Sequence, residues 1–80
     1  MTFPEALQEL LNRYDPDSTT IISARRRNGD ETVKFHLVDH CGSTKVLFFY
    51  GAFSEMDGFY AECEDHPSVD DLQAADWETL

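Results

Sequence analysis

Positive charge runs out early in this chain. No lysine or arginine follows Lys45, and the 80 residues hold six in all against sixteen Asp and Glu, a formal net charge of −10. That imbalance repels nucleic acid and anionic membrane surfaces, so the expected partner is basic, with no direct nucleic-acid and no membrane contact. Cysteine is scarce too. Cys41 and Cys63 are too few for a disulfide scaffold, and reduced thiols in a cytoplasmic setting are expected. Long apolar runs are missing: VLFFYGAF, residues 46–53, stops at eight, well short of the eighteen or so that a membrane span needs. The opening MTFPEALQELL has no charged leader followed by an apolar stretch, so no signal peptide is expected. Internal repeats and low-complexity segments are also absent.

Apolar residues make up 41% of the chain. That share is too high for a disordered chain, and the length allows one small domain, residues 1–80. Thr2 and Glu5 have capping-box spacing and Pro4 sits in the first turn. Leu7, Leu10, Leu11 and Tyr14 recur at helical spacing, predicting a helix over 3–14 that Asp15-Pro16-Asp17 stops. Strand character follows at 19–27, 31–39 and 44–50. An Asn28-Gly29 loop would set Ile22 opposite Phe35 and Ala24 opposite Val33; a Cys41-Gly42 loop would set Phe35 opposite Phe48 and Leu37 opposite Val46. The reverse of the third strand then shows Leu47 and Phe49 near Ile21 and His36, a patch that needs a cover. Residues 51–58 read as a loop and 59–64 as a fourth short strand. Ser68 caps a last segment in which Asp70 and Asp71 occupy the first turn and Leu72, Ala75 and Trp77 supply apolar contacts. The sum is an α+β fold. An N-terminal helix packs on a curved antiparallel sheet of three to four strands, with a short C-terminal helix or tail.

The charge is unevenly spread. Residues 46–80 hold nine acids, Glu55, Asp57, Glu62, Glu64, Asp65, Asp70, Asp71, Asp76 and Glu78, without one Lys or Arg. Duplex DNA carries about one charge per 1.7 Å of axis, so such a concentration on one face imitates a polynucleotide more sparsely. Solubility is the plainer account of any acidic run, yet a sequence under no other demand intersperses lysines. Tyr60 and Trp77 lie among the acids as candidate aromatic anchors. Arg25-Arg26-Arg27 find natural counter-ions in Asp30, Glu31 and the acidic tail.

Catalytic and metal-binding patterns do not assemble. His40 and Cys41 are adjacent, which hinders a Cys2His2 zinc site with Cys63 and His66. A Cys41 nucleophile with His36 or His40 as base comes with no suggestion of an oxyanion hole. Asp15-Pro-Asp17-Ser-Thr19 matches a phosphatase pattern in letters but follows a helix rather than a strand. Asp57-Gly58 and Asp70-Asp71 lack the ligand spacing of a calcium loop. No enzyme, no metal and no cofactor is expected.

Residues 2–10, TFPEALQEL, and 68–80, SVDDLQAADWETL, resemble the two ends of a phage anti-defence domain family. The middle departs from it: residues 24–29 read ARRRNG, without the family's tryptophan, and no ligand residue is carried over. As a whole the chain resembles small acidic anti-CRISPR proteins encoded by phages or prophages. That resemblance implies a stoichiometric inhibitor, a monomer or weak dimer in the cytoplasm of a bacterial host. It would bind a Cas protein of a type I surveillance complex (type I-C, or Cascade more broadly) at its basic DNA-binding surface. The residues expected at such an interface are Glu55, Asp57, Tyr60, Glu62, Glu64, Asp65, Asp70, Asp71, Asp76 and Trp77. The alternatives are sequestration of an anionic nucleotide signal and a self-associating phage or host adaptor.

Overall fold

The computed structural model describes residues 1–15, 17, 21–29, 31–54, 58–59 and 63–80; for residues 28, 40, 52–54 and 58–59 it describes backbone alone. Helix α1 runs Phe3–Arg13. Its expected capping box is present: the Glu5 N–H donates to Thr2 Oγ1 at 3.3 Å and the Thr2 N–H to Glu5 Oε1 at 2.9 Å. Hydrogen bonds from Thr2 hold the Glu5 carboxyl below its ordinary pKa. The buried stripe differs in part from the expected one. Ala6 and Leu10 are buried with Phe3, Leu7 and Tyr14 packed alongside, while Leu11 faces solvent.

Three long strands follow: β1 Ser23–Asn28, β2 Glu31–His40 and β3 Ser43–Ser54. The β2–β3 hairpin has the expected register, Phe35 opposite Phe48 and Leu37 opposite Val46. Its turn residues Cys41 and Gly42 both have positive φ, 53° and 80°, the backbone that tight hairpins of matching twist require. The β1–β2 hairpin is displaced by two residues. Ala24 pairs with Phe35, Arg26 with Val33 and Asn28 with Glu31. Asn28 thus closes the strand, and the turn starts at Gly29, whose φ is +64°. A shift of two keeps every side chain on its expected face, because strand periodicity is also two. Ile21 is exposed and precedes β1.

Strand β3 also continues through residues expected to be loop, since Thr32–Gly51 and Glu31–Ala52 extend its ladder with β2. Of the fourth strand expected over 59–64, residues 60–62 lie outside the described residues, and the ends that are described pair along the far edge of β3. These are β4, Gly58–Phe59, opposite Phe53 and Ser54, and β5, Cys63–Glu64, opposite Tyr50 and Phe49. Ser68 caps α2, Val69–Gln73, through a second capping box with Asp71. The chain then returns to the other edge of the sheet. There β6, Glu78–Thr79, pairs with Ala24 and Arg25 of β1. The antiparallel order is β4-β3-β2-β1-β6 with β5 also on β3. The fold is α+β as expected, and the sheet is wider because its tail adds a strand.

The core lies between α1 and one face of the sheet: Ala6, Leu10, Ala24, Val33, Phe35, Leu37, Phe48 and Trp77. Phe35 is its centre, with ring centroids 5.0 Å from Phe3, 5.1 Å from Trp77 and 5.5 Å from Phe48. Among the described residues no helix is long and apolar enough to cross a membrane.

Candidate functional site

Arg26 lies two residues after Ala24 on β1 and so shares the core side of the sheet with it, opposite Val33. A guanidinium carried there must be neutralised, because an unpaired buried charge is costly. The C-terminal segment supplies the partners. Arg26 Nη1 donates to Asp71 Oδ1, and Arg26 Nε donates to Asp76 Oδ1 at 2.7 Å. The second Asp71 oxygen accepts from the Tyr50 hydroxyl at 2.7 Å and from Ser68 Oγ at 2.8 Å. The Ser68 N–H donates in turn to the Tyr50 oxygen at 3.1 Å. The side chains of Arg26 and Asp71 are only 12% and 4% exposed.

This clasp governs the local proton equilibria. Burial pushes the Asp71 carboxyl up, but hydrogen bonds from Tyr50, Ser68 and Arg26 outweigh it and hold the group below its ordinary value. Asp76 is also lowered, by its bond to Arg26, and Arg26 is raised, by Asp76 first. Burial and the Asp71 bond push the Tyr50 phenol up to about 12. All four groups are therefore fixed in their ordinary states at neutral pH: a charged ion triad and a neutral phenol. Such a set holds structure together and neither donates nor takes protons near pH 7.

The ten expected interface residues divide sharply. Glu55, Asp57, Tyr60 and Glu62 lie outside the described residues. Glu64, Asp65 and Asp70 are exposed, with no cation in ion-pair contact among the described residues. Two expectations are corrected. Trp77 is no surface anchor: it is 2% exposed, its ring packs on Phe35 and its Nε1–H donates to the Asp71 carbonyl at 2.9 Å. Asp71 is no open carboxylate either, because both its oxygens are engaged inside the clasp. Asp76 is exposed, yet it is paired with Arg26, as Glu78 is with Arg25 at 2.9 Å. The arginine run does meet the acidic tail, as its composition suggested.

Sequence reasoning missed Tyr50 as a receptor for the tail and missed Val69 on α2, and Leu72 and Ala75, expected to supply apolar contacts, are exposed. Val69 is 67% exposed and Leu72 39%, on the same short helix as exposed Asp70. One signal was in the sequence: Ser68 and Asp71 have capping-box spacing, which directs Asp71 back toward the chain. Cys41 and Cys63 are exposed free thiols, and among the described residues no group of three or more His, Cys, Asp or Glu could hold a metal ion. No protein family, curated protein or solved structure matches this chain.

Proposed function

We propose that the protein is a non-enzymatic acidic binder. Its acidic C-terminal segment around α2 docks on the basic DNA-binding surface of a Cas subunit in a type I CRISPR–Cas surveillance complex, and there it excludes target DNA. The observation that carries this reading is the set left over after internal pairing. Asp65 and Asp70 stay exposed on the segment that carries exposed Val69 and Leu72. Carboxylates take the place of phosphates on lysine and arginine and speed encounter, while the apolar pair, once desolvated, slows departure. The resemblance to acidic anti-CRISPR proteins names the partner; the exposed charge gives its chemistry. On this reading the protein acts stoichiometrically in the bacterial cytoplasm, with no cofactor.

The test is a competition in which the chain is added to a purified type I complex and binding of target DNA is followed by gel shift. Reversal of Asp65 and Asp70 to Lys is expected to weaken inhibition about a hundredfold, since each close charge pair at an interface is worth roughly 1.5 kcal/mol or more. Leu72→Ala is expected to shorten residence time with little change in association rate. Circular dichroism verifies that both variants keep the parent fold. Undiminished inhibition by the folded double reversal would refute the electrostatic account.

A further inference from the structure

Strand β3 is paired with β2 from Ser43 to Ala52 on one side, but only in part on the other. On that far edge β5 takes residues 49–50 and β4 residues 53–54. The Asp65 N–H also donates to the Phe48 carbonyl at 3.2 Å. The chain then leaves the edge for the core side, where the Ser68 N–H reaches the Tyr50 oxygen. Among the described residues nothing pairs with the far edge of residues 43–47.

The Phe48 bond fixes which groups this edge presents. In a strand the N–H and C=O of one residue point to the same side, and successive residues alternate. Phe48 turns its carbonyl to the far edge, so Val46 and Thr44 do likewise. Their two N–H and two C=O groups form an open ladder, a template for pairing with another strand. Beside it lies a groove of about 480 Å³ lined by Val38, Asp39, Lys45 and Leu47. Lys45 and Leu47 alternate with Val46 and Phe48, which pack in the core, and Val38 stands opposite Lys45. Lys45 is exposed, and among the described residues no carboxylate is in ion-pair contact with it.

We propose that this edge takes up an extended peptide segment of another protein, which adds a strand antiparallel to residues 43–47. Main-chain bonds to Thr44 and Val46 supply the attraction, and side chains at alternate positions set the selectivity. The residue opposite Leu47 is apolar and enters the groove. Two positions on, the residue opposite Lys45 is acidic, because opposite charges across a ladder attract and like charges repel. The net charge of −10 limits the segment to that one carboxylate. A second copy of this chain fits less well. The self-pairing that satisfies all four edge groups is centred on Lys45 and sets two ammonium groups face to face. The edge lies apart from α2 and stands or falls independently of the function proposed above.

The experiment titrates the full chain with the capped peptide acetyl-Thr-Val-Thr-Glu-Thr-amide, read by backbone nuclear magnetic resonance. With its central threonine opposite Val46, the valine meets Leu47 and the glutamate meets Lys45. Perturbed resonances are expected to centre on residues 43–47, and the Thr44 and Val46 amides to gain protection from hydrogen exchange. N-methylation of the central threonine, whose N–H faces β3, should abolish binding. N-methylation of the glutamate, whose N–H points away, should leave it nearly unchanged. Lys45→Glu is expected to weaken the peptide about fivefold, and lysine in place of the peptide's glutamate to recover the loss. Lys45 is exposed, and circular dichroism verifies that the variant keeps the parent fold. No perturbation at millimolar peptide, perturbations centred elsewhere, equal effects of the two N-methyl groups, or equal affinity in parent and Lys45→Glu each overturns the assignment. So does sedimentation showing a dimer, without peptide, that Lys45→Glu breaks.

Discussion

Asp71 is the residue on which charge, fold and tail position meet. It sits in a helix of five residues, too short to persist by itself, and draws its order from Arg26, Tyr50 and Ser68. Removing one partner of a buried pair strands the other, so Asp71→Ala is expected to cost about 3 kcal/mol. Asp76 would remain as partial compensation on Arg26. The pH dependence follows from the same contacts. Asp71 and Asp76 titrate below their ordinary 3.8 in the fold. The unfolded chain therefore takes up protons first, and the stabilisation, complete above that value, is lost as pH falls through the lowered ones. Tyr50 acts at the other end. Its pKa is raised from 10.0 to about 12, so its contribution is complete below pH 10 and disappears as pH rises toward 12. Urea unfolding measured across pH checks both limbs, and Asp71→Ala should flatten each of them.

At the scale of elements, the tail is a strand held by a knob. Trp77 fills the space beside Phe35, while its N–H donates to the Met1 carbonyl at 2.9 Å and its own carbonyl accepts from the Met1 amine at 2.9 Å. Two residues on, Thr79 Oγ1 donates to Glu9 Oε1 at 2.7 Å, and Arg13 Nη2 donates to the Leu80 carbonyl at 3.2 Å. A two-residue strand has too few ladder bonds to stay paired unaided, so the indole is what keeps β6 in place. Trp77→Ala is expected to cost roughly 3–5 kcal/mol and to open β6 before the β2–β3 hairpin. Denaturant unfolding gives the first quantity and amide hydrogen exchange the second. The sequence shows one hairpin fully and the other only in part. At Cys41-Gly42, Phe35, Leu37, Val46 and Phe48 all demand the same face, leaving one register. At Asn28-Gly29 the loop could move by two residues without exposing an apolar side chain, and nothing local fixes the choice. Arg26 faces the core with Ala24 in either register, and the choice decides only which residue of β2 it opposes. Trp77 reads two ways in the sequence, as an apolar contact of the last segment and as a surface anchor. Its neighbours Asp76 and Glu78 suggest surface, and its burial depends on where a distant segment docks.

For the molecule as a whole, the pairing pattern turns the composition into geometry. Of the nine acids after Lys45, Asp71, Asp76 and Glu78 are absorbed by Arg25 and Arg26, whereas Glu64, Asp65 and Asp70 keep their field. The sheet consequently separates a side that carries α2 and its exposed Asp70 from a face on which Arg25, Lys34 and Glu64 share one row. Added salt acts on two opposing contributions. It weakens the exposed Arg25–Glu78 pair, worth at most about 1 kcal/mol, and barely reaches the buried Arg26–Asp71 pair. It also relieves the mutual repulsion of an excess of ten negative charges, which favours the expanded chain over the compact one. The second effect involves many more charges and should win. Raising sodium chloride from about 0.01 M to 0.15 M shortens the screening length from about 30 Å to 8 Å. The melting temperature at neutral pH should rise across that range by several degrees, the shift that about 1 kcal/mol produces in a domain of this size. Thermal circular dichroism at fixed protein concentration measures it. A fall over the same range would mean that the exposed ion pairs, rather than the surplus carboxylates, dominate the electrostatics of the folded chain.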